Sequence, residues 1–214
     1  MNIKRYIKTA PLLVALALPL PAGADAYDDM MRAISFDDHR AVMSLISRGF
    51  EVNSVTREGD TLLMLAVKEG KPSTVKALLA ARARVNTRNA FGETALMLAA
   101  LRGQTAIVPI LLAHGAEVDH PGWTPLMYAA ANGHAEVAKA LLAKGAKVDA
   151  AADNGTTALM MAAREGHLAT VLLLMERGAD VNYRTPHGYT ALEVARERGM
   201  KEVAELLVRA GAKD

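Results

Sequence analysis

Methionine is the residue type whose spacing in this sequence could support chemistry. Met64, Met97, Met127 and Met160 stand 33, 30 and 33 residues apart, and thioether sulfur is a soft ligand that suits Cu(I). Equivalent residues on stacked helices lie about 8–10 Å apart, too far for several of them to bind one ion. We therefore interpret the four side chains as flexible core filler and keep Met-based metal handling as an alternative function.

The other reactive residue types form no catalytic pattern. The six histidines are scattered without partners at ligand spacing, and no zinc-protease motif, nucleophile elbow, phosphate loop or dinucleotide fingerprint occurs in the sequence. Cysteine is absent, which excludes disulfides, thiol catalysis and thiolate metal sites. The sequence therefore predicts a protein that is not an enzyme and that has no cofactor and no metal site.

An internal repeat places these residues on helices. Threonine opens a short apolar run at spacings of 33, 30, 33 and 33, and a glycine nine residues later ends each run. The threonines are Thr61, Thr94, Thr124, Thr157 and Thr190. A second run follows each glycine and ends at another glycine, except at Arg82. A unit of about 30 residues with two short helices cannot bury both of its faces alone, so it needs copies on either side.

The most regular copy, TPLMYAAANGHAEVAKALLAKGAKVD at 124–149, resembles the ankyrin repeat. The resemblance extends from Tyr27 to Lys213, nearly all of the chain after its first residues. It implies an all-α repeat solenoid, in which helix pairs stack in a curve with β-hairpin tips on one side. It also implies protein binding rather than catalysis. The histidine of the family's T-P-L-H motif is replaced by the four methionines and by Glu193.

We divide the chain into six repeat units behind a leader. The units are an N-terminal cap at 27–55, internal repeats at 56–88, 89–118, 119–151 and 152–184, and a C-terminal cap at 185–214. The first unit lacks the T-P-L motif, and the last helix of the sixth is much more charged than its counterpart in the fifth. Terminal repeats need such a polar outer face.

The leader at 1–26 has the pattern of a secretory signal peptide. A basic start is followed by the apolar run from Ala10 to Leu20 and by small residues that allow cleavage after Ala24 or after Ala26. The apolar run is too short to span a bilayer, which takes about 20 residues. Removal of 1–24 takes three of the 25 basic residues and none of the 23 acidic ones, which leaves a net charge of −1.

This balance gives no charge-based argument for nucleic acid binding. The leader and the absence of cysteine together favour the bacterial periplasm. The chain is similar in this respect to exported ankyrin-repeat proteins of Gram-negative bacteria. We expect a monomer with no membrane span once the leader is removed.

Three units depart from the regular pattern. Arg82 holds a helix-ending position that is usually left-handed, which glycine tolerates and arginine does not. Pro109 falls in the first or second turn of the second helix of the third unit, predicted over Thr105 to Ala113, where we expect at most a local distortion. The fourth unit lacks three residues in its tip, which we expect to be shorter and which carries Trp123, the only tryptophan.

In ankyrin proteins the partner usually meets the tips and the inner helices. The residues that fall there are Phe91, Glu93, Arg102, His120, Trp123, Asn132, Asp153, Arg164, His187 and Tyr189. Aromatic residues and arginine are the usual anchors of interfaces, although the three rings could instead pack between neighbouring tips. Tyr128 takes the place of Leu98, and we expect it in the core.

The resulting prediction is a module that binds a partner protein, periplasmic or associated with the envelope, through its concave face. The first candidate role is the restraint of a periplasmic enzyme, or protection against one. The second is a scaffold or assembly factor for stress defence in the envelope.

Overall fold

The computed structural model describes residues 24–213, and twelve α-helices account for most of them. The residues of the predicted leader up to 23 lie outside this range, and the first helix begins at Ala24. The inner helices are α1 Ala24–Ser35, α3 Leu62–Lys68, α5 Ala95–Leu101, α7 Pro125–Ala131, α9 Ala158–Glu165 and α11 Ala191–Glu197. The outer helices are α2 His39–Ser47, α4 Pro72–Ala80, α6 Val108–Ala113, α8 Ala135–Ala143, α10 Leu168–Glu176 and α12 Lys201–Arg209.

The repeated threonine determines where five of the inner helices begin. Each of these threonines is extended, and its side-chain oxygen accepts a hydrogen bond from the backbone N–H three residues on, at 3.2–3.4 Å. This bond satisfies one of the N–H groups that a helix start leaves without a partner. The donor is the methionine of the repeat in α3, α5, α7 and α9, and it is Glu193 in α11.

The helices stack in two rows, so the chain is the helical repeat solenoid that the sequence predicts. Each inner helix contacts the next inner helix along the chain, and within each unit the inner helix packs on its own outer helix. Leucine, alanine and methionine side chains from all units form one continuous buried cluster. Because no unit closes its own core, each unit depends on its neighbours for burial.

The tips are tight turns closed by a pair of backbone hydrogen bonds, with little strand structure beside them. In the third unit the Asn89 N–H donates to the Glu93 carbonyl at 3.0 Å, and the Gly92 N–H donates back to the Asn89 carbonyl at 2.9 Å. The same pair of bonds recurs in units two, five and six. Within residues 24–213 the only β-bridges are two isolated ones, Val55 with Thr61 and Ala151 with Thr157.

An asparagine or aspartate after each outer helix links its unit to the next one. The Asp149 carboxylate accepts from the Asp180 N–H at 3.1 and 3.2 Å, and the Asn86 side-chain oxygen accepts from the Glu117 N–H at 3.0 Å. Asn53, Asp119 and Asn182 make the equivalent bond. One acceptor per unit therefore fixes the spacing of the stack on this side.

The structure answers the two expectations about helix ends. Arg82 is left-handed with φ +64°, as predicted. The predicted start of the helix around Pro109 is wrong, because α6 begins at Val108 rather than at Thr105. Proline lacks the N–H that would bond back to the residue-105 carbonyl, so the chain turns from Thr105 to Ile107 and the proline falls in the first helical turn, where it is tolerated.

None of the helices between Ala24 and Lys213 is long and apolar enough to cross a membrane.

Candidate partner-binding surface

The predicted binding residues lie in the tips and at the C-terminal ends of the inner helices, which we call the tip surface. Phe91 is 76% exposed, Tyr189 47% and Trp123 39%. The exposed polar residues of the set are Arg102, Asn132, Asp153 and His187, and the half-buried ones are Glu93, His120 and Arg164. Exposed apolar side chains that group into a patch mark interaction sites in many proteins.

Three of these residues meet in one cavity between the third and fourth tips. Phe91, His120 and Trp123 line an opening of about 390 Å³, which we call the notch. Its lining also includes Arg88, Met97 and Tyr128, which are not among the residues predicted from the sequence to bind a partner. Tyr128 is half-buried and open to the notch rather than fully buried in the core as Leu98 is, so the expectation for this ring is only partly right.

The notch exists because the fourth tip is short. Neighbouring tips of full length pack closely, since a Cβ on Gly59 would come within 3.0 Å of the Ala90 nitrogen and one on Gly155 within 2.4 Å of the Pro186 ring. A Cβ on Gly92 or on Gly122 would meet no atom within 4 Å. The third tip therefore has no neighbour where the fourth tip would have stood, and Phe91 stays exposed.

Two aromatic rings of the notch, Trp123 and Tyr128, contact each other. The Trp123 and Tyr128 ring centroids are 5.3 Å apart with the planes inclined at 51°, a geometry that suits the ring quadrupoles. Burial raises the pKa of the Tyr128 phenol, and the nearby Glu93 carboxylate raises it further. Tyr128 therefore stays neutral at physiological pH and adds no charge to the notch.

His120 is fixed by its own turn. Its Nδ1 atom lies 2.8 Å from the Pro121 carbonyl oxygen, so this nitrogen carries a proton and donates. Its Nε2 atom is buried without a hydrogen-bond partner, a condition that costs free energy in a folded protein. The short tip therefore holds the imidazole in place at some cost to stability.

A second cleft of about 260 Å³ lies between the fifth and sixth tips. It brings Arg164, His187 and Tyr189 together above the buried Met160 and Met161. The Arg164 guanidinium is paired with Glu165 at 2.7 Å. The tip surface thus carries two separate openings, each beside an exposed aromatic ring.

Four of the predicted residues line neither opening. Arg102 and Asn132 end their inner helices, and the Asn132 side chain donates to the Tyr128 carbonyl at 2.9 Å. The Glu93 carboxylate accepts from the Asn89 side chain at 3.0 Å, and that amide also reaches buried Asp60 of the previous tip. Asp153 is exposed on the fifth tip. Their role in binding stays a prediction.

The methionines of the repeat are core residues in the structure. Met64, Met97, Met127 and Met160 are at most 3% exposed. Met97 also completes the cap of its helix, because its sulfur accepts a hydrogen bond from the Thr94 N–H at 3.3 Å. Within residues 24–213 no group of three or more histidine, aspartate and glutamate side chains is placed to hold a metal ion.

Comparison with known proteins identifies the family. The model for ankyrin repeats (3 copies) matches residues 30–121, 63–152, 117–185 and 147–214, which together cover most of the chain. The chain belongs to the ankyrin-repeat family. Ankyrin repeats mediate binding between proteins, and the fold is typically a scaffold for interaction without catalytic activity. No curated protein matches the sequence.

Two solved structures are similar to this ankyrin protein in both fold and sequence. The human ASB11 ankyrin repeat domain is 31% identical with a TM-score of 0.78, over 86% of this chain and 84% of that one. A chain from the complex of the Bd0816 predatory endopeptidase of Bdellovibrio bacteriovorus with immunity protein Bd3460 is also 31% identical. Its TM-score is 0.75, over 85% of this chain and 97% of that one.

Proposed function

We propose that this ankyrin protein is exported to the periplasm, where it binds a partner enzyme through the tip surface and restrains it. The observation that carries the proposal is the exposure of Phe91, Trp123 and Tyr189 on one side of the stack, beside two openings. Aromatic anchors of this kind contribute most of the binding energy at many interfaces.

Two further observations support restraint of an enzyme in the periplasm. The first is the similarity to a chain from a complex between an endopeptidase and an immunity protein. The second is the leader, whose basic, apolar and small-residue segments are typical of exported proteins. A chain without cysteine also suits an oxidising compartment.

The test is affinity capture from periplasmic extract with the chain and with its Phe91→Ala, Trp123→Ala, Tyr189→Ala variant. The matched control replaces three exposed apolar side chains of the outer helices, Leu168, Leu172 and Val208, with alanine. Circular dichroism first establishes that all three proteins are folded. We expect one dominant partner that the parent and the outer-helix control capture and that the aromatic variant loses.

Equal capture by the parent and the aromatic variant would place the interface elsewhere and overturn the proposal. The captured partner is then assayed with and without an equimolar amount of the chain. Restraint predicts loss of its activity. Unchanged activity together with several co-captured envelope proteins would favour the scaffold role instead.

A further inference from the structure

The notch carries a positive charge. Arg88 lines it and makes no hydrogen bond or ion pair with any residue in 24–213, whereas Arg164 beside the second cleft is paired with Glu165. No aspartate or glutamate of the described chain belongs to its lining. The carboxylate nearest in sequence, Glu93, is half-buried and hydrogen-bonded to Asn89 at 3.0 Å. The lining of the notch therefore contains a cation without a partner and no carboxylate, and the Glu93 carboxylate lies outside the lining near Tyr128.

Its walls are largely apolar. Phe91 of the third tip and Trp123 of the fourth tip are exposed, the Tyr128 ring is tilted against Trp123, and buried Met97 forms part of the lining. At about 390 Å³ the opening lies within the range of small-ligand cavities, and it can take a large side chain. A guanidinium without a partner beside apolar walls is complementary to a group that is apolar at its end and carries a carboxylate next to it.

We infer that the notch takes an apolar–acidic segment of the partner protein, in which a large apolar side chain enters between Phe91 and Trp123 and an adjacent carboxylate pairs with Arg88. This inference rests on the proposed function, since it specifies the partner chemistry recognised at one of the two openings. The three-residue deletion in the fourth tip then acts as a specificity element, because it removes the neighbour of the third tip and leaves an opening of about 390 Å³, larger than the 260 Å³ cleft between the full-length fifth and sixth tips.

Peptide selection tests the inference without knowledge of the partner. A random heptapeptide library is selected against the immobilised full chain, and the enriched peptides are synthesised and titrated in solution. Trp123 is the only tryptophan, so its fluorescence reports directly on occupation of the notch. We expect enriched peptides to share a large apolar residue beside aspartate or glutamate, and to change the Trp123 emission on binding.

Two charge reversals provide the matched comparison. Arg88→Glu should weaken these peptides at least tenfold, whereas Arg177→Glu should leave affinity within twofold, because exposed Arg177 ends an outer helix away from the notch. Phe91→Ala should also weaken binding at least tenfold. Circular dichroism and melting curves confirm that each variant is folded.

Peptides with basic or uncharged flanks, no enrichment, no change in Trp123 emission, or affinity unchanged by Arg88→Glu would each overturn the inference. The outcome is separable from that of the proposed function. A partner that is captured through Tyr189 and is indifferent to Arg88→Glu would overturn the notch assignment alone. Apolar–acidic peptides bound at the notch without capture of any enzyme would overturn enzyme restraint alone.

Discussion

Two residues other than glycine adopt left-handed backbone conformations between Ala24 and Lys213, and they do so for different reasons. Arg82 has φ +64° at the end of α4, where its side chain is exposed and the other units have glycine. A side chain at such a φ costs roughly 1–2 kcal/mol through contact of Cβ with the backbone. We predict that Arg82→Gly raises the free energy of unfolding by about 1 kcal/mol, measured by thermal or urea denaturation.

The control for this prediction is Arg82→Ala, which removes the charge but keeps Cβ and should give no such gain. Gly145→Ala is the converse test at the equivalent position of unit four. Gly145 has φ +90°, and an added Cβ would meet no atom within 4 Å, so any loss of stability there is conformational. A melting temperature that rises equally in both Arg82 variants would contradict the backbone explanation.

Asp37 is the second left-handed residue, with φ +55°, and here the conformation serves an interaction between units. Its Oδ1 atom accepts from the Thr74 N–H at 2.8 Å and so caps α4 of the next unit, whose own N-cap residue, Lys71, makes no side-chain cap bond. Partial burial raises the pKa of Asp37, but hydrogen bonds from Thr74 and Ser73 outweigh it and lower the pKa overall.

Because the folded-state pKa of Asp37 lies below the unfolded value near 3.8, its ionised form stabilises the fold at pH values above that unfolded pKa. This contribution is lost as pH falls through the folded pKa. We predict that Asp37→Asn, which keeps an acceptor and tolerates positive φ, is less stable than the parent at pH 7 and that the difference shrinks below pH 4. Melting curves from pH 7 to pH 2 measure it. A difference that stays constant over that range would exclude the charge as its origin.

At the scale of the elements, one side-chain acceptor per unit joins consecutive repeats. Asp149 accepts from the Asp180 N–H with both oxygens within 3.2 Å. A hydrogen bond to a charged group contributes about 1.5–3 kcal/mol, less where water competes. We predict that Asp149→Ala lowers the free energy of unfolding by about 1 kcal/mol, whereas Asp149→Asn keeps an acceptor, as Asn86 and Asn182 do, and loses less.

Urea denaturation of both variants measures this difference, and equal losses in alanine and asparagine would contradict the role of the acceptor. Hydrogen exchange supplies a second readout. The Asp180 amide should exchange faster in Asp149→Ala than in the parent, while the Glu117 amide, bonded to Asn86 at 3.0 Å, should not change.

The sequence predicts the helices well where the repeated threonine, the repeated glycine and the spacing of apolar residues all indicate the same helix bounds. Each inner helix from α3 to α11 begins directly after its repeated threonine because the side chain caps it. The prediction fails at α6, because proline shortens a helix by removing a backbone bond that no side-chain pattern records. It also misses Asp37, since an aspartate in a turn carries no sequence signal that it will cap a helix of the next unit.

At the scale of the whole molecule, the candidate surface is only partly readable from sequence. The short fourth tip follows from counting residues, but the exposure of the three rings does not, because the sequence left open whether they pack between neighbouring tips. The notch groups Phe91 with Trp123 and also includes Arg88 and Tyr128. This grouping depends on the distance between neighbouring tips. Tip packing is set by close contacts such as Gly59 with Ala90, which only the assembled stack reveals.

The stack also predicts what its last unit does. Helix α11 packs on α9, and α12 packs on α10. Unit six therefore covers a face of unit five whose helices carry the apolar side chains Met160, Met161 and Leu174, all of them buried. The sequence of α10 is LATVLLLME, whereas that of α12 is KEVAELLVR, so only the latter suits a face turned to water. Terminal repeats with a polar outer face keep repeat proteins soluble.

We predict that deletion of 185–214 lowers the melting temperature and reduces helicity by more than the two helices removed, because unit five loses its cover and unfolds with unit six. The truncated chain should also elute earlier than its mass implies in gel filtration, since the newly exposed apolar face associates. A helical signal that falls only by the share of α11 and α12, with an unchanged melting temperature, would show that unit five is stable without a cap. In that case each unit would hold most of its own stability, and the cooperative coupling inferred from the shared core would be wrong.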